Sequence, residues 1–260
     1  MSAPTGILKS SIVKKYWMAA TGLFLCLFLV GHLAGNFQLF VTGYAGKLQF
    51  NEYTVFMTTN PAVKILSYVT YLSILFHVID GIVLSIRNKK ARPVQYAYNK
   101  PSANSVWSSR NMGILGTIIL AYIVFHMGDF WYEYKFGTLP YMATEAGDGF
   151  LLKDGTEVMN ATINEAGNVV SATGDILGPA MKDLHAEVIE AFRVPWIVAL
   201  YVVGMIAIGF HLWHGFSSAF QSLGVNHPKY TPVIKKLGYG FAVLIPLGFA
   251  IIPIYLFVTL

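Results

Sequence analysis

Charge is scarce in this chain of 260 residues, at 12% Asp, Glu, Lys and Arg, against roughly 25% in a soluble globular domain. With 55% hydrophobic residues and a mean hydropathy of +0.55, that shortfall makes lipid the solvent around most of the protein. There is one cysteine, Cys26, in the middle of the first apolar run. A lone thiol excludes an internal disulfide, a Cys-based zinc site and an iron–sulfur cluster held by this chain, and leaves a small packing residue. No polar stretch interleaves basic and aromatic residues, so the net charge of +5 is not a nucleic-acid surface. The sequence has no internal repeat and no low-complexity tract. It also lacks a convincing small-residue cleavage site near its start, and the run from Trp17 to about Phe40 is too long for a signal peptide. That run reads as a retained first helix.

What the chain does have is five apolar segments, Tyr16–Val41, Ala62–Ile86, Met112–Tyr134, Pro195–Phe220 and Ile234–Thr259. Each is long enough for the roughly 20 helical residues that cross a bilayer. Tyr16 and Trp17, Trp131 and Tyr132, and Tyr239 and Tyr255 mark their interfacial ends. Cations set the orientation. Lys9, Lys14 and Lys15, then Arg87, Lys89, Lys90, Arg92, Lys100 and Arg110, then Lys229, Lys235 and Lys236 all fall on one side. By the positive-inside rule that side, with the N-terminus, is the cytoplasm. Every acid except Glu52, Asp80 and Asp129 lies between Glu133 and Glu190, so that connection belongs outside, together with the C-terminus. Within it, Phe150–Ser171 reads as a small hairpin, with turn signals at Lys153-Asp154-Gly155 and Glu165-Ala166-Gly167-Asn168. Pro179 to Arg193 reads as a helical lead-in to the fourth span. The fold class is an all-α membrane protein, one transmembrane domain over residues 1–260 with an extracytoplasmic insertion at 135–190.

Five of the seven histidines, His32, His77, His126, His211 and His214, lie within the spans. An ionisable group at that depth is costly and usually faces the bundle interior with a function. His32 and His126 stand about 15 residues after the cytoplasmic starts of the first and third helices, roughly 23 Å in at 1.5 Å per residue. The second and fourth helices run the other way, which sets His77 and His211 in the inner half. Two ligands at each of two levels, with the first four helices as a bundle, is what two bis-histidine haems b require. Gly31, Gly35, Gly81, Gly128, Gly209 and Gly215 flank these histidines. They serve either a flat porphyrin approach or close helix packing. His211 and His214 share a helix face, so either can be the inner ligand. Asp80 and Asp129 each follow a histidine by three residues, as partners of the ligand, as proton carriers, or as interfacial residues paired with a base.

At these residues the sequence resembles the membrane cytochrome b subunit of succinate:quinone oxidoreductases (succinate dehydrogenase and fumarate reductase), in the class with one anchor polypeptide, five helices and two haems. The resemblance covers nearly the whole chain. It rests on the four histidines, on Lys90-Ala-Arg92-Pro93-Val-Gln-Tyr96, and on Phe210-His211-Leu-Trp-His214-Gly215-Phe216-Ser-Ser-Ala-Phe220. It selects His211, four residues before Gly215, over His214, and implies haem ligation by His77 with His211 and by His32 with His126. It implies electron transfer between an iron–sulfur subunit and quinone, with menaquinone as the quinone. A flavoprotein subunit with FAD would carry the succinate/fumarate site, and both partners would dock on the cytoplasmic side of a bacterial inner membrane, with Arg87–Arg110 as docking surface. Glu52 and, second, Asp129 are the candidates for proton exchange with quinone. The chain departs from the family in having Gly209 where some dihaem fumarate reductases carry a glutamate, and in its long outer segment. The alternatives are the cytochrome b subunit of another respiratory enzyme, such as a formate dehydrogenase or hydrogenase, and a haem-free proton-coupled transporter. The latter predicts broken helices and opposed repeats, and the sequence has neither signal.

Overall fold

The computed structural model describes residues 10–91 and 101–259. Lys9, Arg92, Lys100 and most of the basic motif after the second span lie outside the described residues, as does Leu260.

Five helices are long and apolar enough to cross a membrane: Ser11–Phe40, Pro61–Lys90, Met112–Phe136, Pro195–Ser222 and Thr231–Thr259, here spans 1 to 5. All five expected apolar segments are therefore helical, and most extend beyond the expected ends. Local chemistry explains the starts. Pro61 and Pro195 occupy first helical positions, where a missing N–H costs nothing and the fixed φ suits the helix. Asn60 caps span 2, its Oδ1 accepting from the backbone N–H of Ala62 (2.9 Å) and Val63 (3.3 Å). Span 2 ends on Arg87, Lys89 and Lys90, cations that complement the negative end of the helix dipole. Large apolar side chains stay exposed along the spans, Leu27 at 73%, Leu244 at 67% and Val258 at 76% among them. Contiguous exposure of that kind suits a lipid surround and not water.

The chain divides into two compact units. Unit 1 (1–33, 67–122 and 202–250) takes the first parts of spans 1, 3 and 5 and the last parts of spans 2 and 4. Its apolar centre includes Cys26, Leu212 and Ala242, with Leu29, Ile208, Phe216 and Phe241 against them. Cys26 is buried there as a packing residue.

Unit 2 (34–66, 123–201 and 251–260) holds the other parts of the spans and the insertion. The insertion is richer than one hairpin. Strands β1 (Gly149–Leu151) and β2 (Glu157–Met159) pair antiparallel, Phe150 opposite Val158. Strands β3 (Thr162–Ile163), β4 (Asn168–Val170) and β5 (Ile176–Pro179) form a second antiparallel sheet in that order. Both expected turn signals are turns: Gly155 and Gly167 take φ of +87° and +75°, values open to glycine at little steric cost.

One expectation needs correction, and one helix was not expected. The helical lead-in does not begin at Pro179, which ends β5; the helix is Leu184–Phe192. Met181 keeps an extended backbone, donating to the Leu151 carbonyl (2.9 Å) and accepting from the Met142 N–H (2.8 Å), so the helix waits for Asp183, whose carboxylate accepts from Ala186 N–H at 3.0 Å. The connection between spans 1 and 2 is also helical, Gly43–Thr59, which the sequence pattern does not announce. Tyr44, Leu48 and Val55 of that helix pack on the buried Met142, Leu151 and Met181 of the insertion, each fully buried side chain contributing about 1.5–3 kcal/mol. A polar knot joins the same parts. Asn51 donates to Asp183 Oδ1 (2.8 Å) and accepts from His185 N–H (3.1 Å), and Lys47 Nζ lies 2.6 Å from Asp183 Oδ2.

Candidate functional site

In unit 1 the ring of His77, on span 2, faces the ring of His211, on span 4, with centroids 6.1 Å apart and planes at 60°. Span 1 supports His77 from the side. Gly22 lies under the ring, so that a Cβ there would stand 3.2 Å from His77 Cε1. Thr21 Oγ1 is 3.3 Å from His77 Nδ1. The same hydroxyl donates to its own helix, at 2.9 Å from the Trp17 carbonyl and 3.2 Å from that of Met18. His211 Nδ1 is buried with no hydrogen-bond partner, a costly state for a polar atom unless something satisfies it. His214, one turn on, has Nε2 at 3.4 Å from Ser218 Oγ of its own helix. The geometry thus sets His211, not His214, as the ring facing His77.

Asp80, one turn after His77, forms a 2.8 Å ion pair with Lys14 of span 1. Of the readings open for Asp80, the contact present is the one with a basic partner. The aspartate side chain is nearly buried and the lysine partly so, at 8% and 22% exposure, so the pair is less screened than a surface one.

His32 belongs to unit 1 as well. Its ring stacks on Phe28 at 5.2 Å and 14° and lies 5.6 Å from Phe249.

His126 is in unit 2, at the end of the regular helix Met112–His126, where span 3 widens into a π-turn over Met127–Tyr132. Such widened turns occur frequently at functional sites. His126 Nδ1 is 3.3 Å from the hydroxyl of Tyr201, which donates to Asp129 Oδ2 at 3.4 Å. Phe130 and Phe192 hold the phenol edge-to-face at 6.1 and 4.9 Å.

Glu52 is exposed on Gly43–Thr59, its Oε1 close to Gly155 in the β1–β2 turn. Its neighbour Asn51 is the buried polar residue of that helix. Outside the spans, burial lowers the pKa of His185 against the opposing pull of Asp183, and burial with the nearby Glu190 raises that of Glu187.

The glycines divide by use. Gly35 lies against the ring of Tyr53, and Gly209 against the Ala242 carbonyl, where a Cβ would stand at 3.2 Å; both serve close packing. Gly31 and Gly128 have nothing within 4 Å of an added Cβ, and Gly81 and Gly215 have ordinary contacts. Thr21, Gly22, Lys14 and Tyr201 are site residues that sequence reasoning missed. The small Thr21-Gly22 pair in an otherwise apolar run is the one local signal that could have found any of them.

Among the described residues no group of three or more His, Cys, Asp or Glu is placed to hold a bare metal ion. Comparison of the chain with protein-family models, with curated proteins and with solved structures gives no match.

Proposed function

We propose that this chain is the dihaem cytochrome b membrane anchor of a succinate:quinone oxidoreductase, passing electrons between an iron–sulfur subunit and membrane quinone. The observation that carries the reading is the approach of His77 to His211. An imidazole nitrogen binds a metal at about 2 Å, with the ring centre roughly 1.2 Å behind it, so two imidazoles sharing one iron have centres about 6 Å apart. The 6.1 Å separation fits. On this reading His77 and His211 would hold one haem b, and the family resemblance assigns His32 and His126 to the other. Haem bound there supplies single-electron transfer.

The chain's own residues do the rest. Thr21 and Gly22 fix the rotamer of His77 and leave room for its ring. Lys14 balances Asp80 beside the ligand. Quinone takes up protons with its electrons, so its site needs a proton-exchanging group. Asp129 takes precedence over Glu52 in that role, because its carboxylate joins the hydrogen-bond network of His126, whereas Glu52 is exposed beside the β1–β2 turn. The partners are an FAD-bearing flavoprotein and an iron–sulfur subunit on the cytoplasmic face, and the quinone is menaquinone.

The test is purification of the chain from its native membrane with its partners. A covalent flavin, iron–sulfur clusters and haem b in one succinate-oxidising or fumarate-reducing complex are expected. Haem b in company with a molybdenum or nickel enzyme would instead assign the chain to a formate dehydrogenase or hydrogenase.

A further inference from the structure

Two of the histidines are held by hydroxyl groups whose own protons are already committed. A hydroxyl carries one proton and two lone pairs, and a neutral imidazole carries one N–H and one lone-pair nitrogen. The Thr21 proton goes to backbone carbonyls of its own helix, Trp17 O at 2.9 Å and Met18 O at 3.2 Å. Its contact with His77 Nδ1 at 3.3 Å is then an N–H donated by the histidine. The Tyr201 proton goes to the Asp129 carboxylate at 3.4 Å, so the 3.3 Å contact with His126 Nδ1 has the same direction. With the hydroxyl protons so placed, the histidine proton falls on Nδ1 and the lone pair on Nε2 in both cases.

We infer that Thr21 and Tyr201 are positioning residues that set the imidazole tautomer of His77 and His126, presenting Nε2 to the iron. This rests on the cytochrome reading. The same arrangement arises separately in unit 1 and in unit 2, from different residue types on different helices. Tyr201 is itself fixed: Phe192 packs on it at 4.9 Å and 86°, and Phe130 at 6.1 Å. His126 and Asp129, three residues apart and so on one helix face, reach the same hydroxyl.

The two chains end differently. Thr21 passes its hydrogen bond to neutral carbonyls; Tyr201 passes it to a carboxylate. A hydrogen bond from Nδ1–H to an acceptor makes the ligand more basic and favours oxidised iron, and more so when it ends on a negative charge. Tyr201 therefore lowers the potential of the haem on His126, and Thr21 lowers that of the haem on His77 by less.

The experiment is a spectroscopic redox titration of the purified native complex, wild type against Tyr201→Phe, Asp129→Asn, Thr21→Val and Thr21→Ser, with haem content measured on each. Tyr201→Phe and Asp129→Asn are expected to raise the midpoint potential of one and the same haem, with no further rise in the double variant. Thr21→Val is expected to raise the other haem by a smaller amount, and Thr21→Ser, which keeps the hydroxyl, to leave it unchanged. If a variant loses a haem, its restoration in Thr21→Ser but not Thr21→Val supports the assignment. Two haems with unaltered potentials in Tyr201→Phe, or both potentials moving together, would overturn it. A wild-type complex without haem would overturn the cytochrome reading itself, a result distinct from either.

Discussion

The rings of His77 and His211 face each other at 6.1 Å across unit 1, although 134 positions separate them in sequence. Each comes from a separate long helix, and the small residues of a third helix, Thr21 and Gly22, back the first ring. The proposed ligand assignment rests on this approach. His211→Ala is expected to reduce haem content from two to one per chain by pyridine haemochrome assay. His214→Ala, which removes a contact with Ser218 on the same helix, is expected to keep both. The reverse result would move the ligand to His214.

Gly22 should tolerate little. A Cβ at 3.2 Å from His77 Cε1 forces the ring to give by a few tenths of an ångström, and a branched side chain forces a larger move. Gly22→Val is expected to lose the haem held by His77 while the other remains, read from the reduced spectrum. An unchanged spectrum would show that the ring does not need this floor.

The Lys14–Asp80 pair is nearly buried on the acid side. Lys14→Met leaves that carboxylate without its cation and is expected to cost about 2–3 kcal/mol, seen as a lower thermal midpoint in detergent. In a double-mutant cycle with Asp80→Leu, the combined loss should fall short of the sum of the single losses. Strict additivity would mean that the pair contributes no coupling.

Asn51 bridges Asp183 and the His185 N–H. Asn51→Ala removes one hydrogen bond to a buried carboxylate and one to a backbone N–H, an expected cost of about 3 kcal/mol to the outer cap. Hydrogen exchange in Leu184–Phe192 and β1 should accelerate, with the spans unaffected. Exchange at the wild-type rate would refute a clamping role.

The cap should also weaken in acid through His185. Burial holds its folded pKa below the ordinary value, so the unfolded form binds the proton more readily. The contribution is therefore present above the ordinary histidine pKa of about 6.5 and is lost as pH falls through the folded value. Glu187, raised by burial and neighbouring acids, works in the opposite sense. The informative quantity is thus the difference in cap protection between wild type and His185→Gln. That difference is expected to vary below about pH 6.5; a constant difference would exclude His185.

The spans were legible because charge-free runs of that length have one stable solution in lipid. The helix Gly43–Thr59 was not legible. Its glycines, Lys47, Glu52 and scattered apolar residues make no sustained stripe, and it is held by tertiary contacts with the insertion. The Asn51–Asp183 knot spans 132 positions, and the hydroxyls that hold His77 and His126 lie 56 and 75 positions away. No local pattern encodes partners at that range. The β-insertion fell between: the glycine turns were readable, but the last strand, β5 (Ile176–Pro179), depends on pairing with β4.

Haem content of the purified native protein tests the central claim most directly. A pyridine haemochrome assay with a dithionite-reduced spectrum is expected to give two haems b per chain. A protein that binds none would contradict the cytochrome account and leave the buried histidines to a proton-coupled transporter.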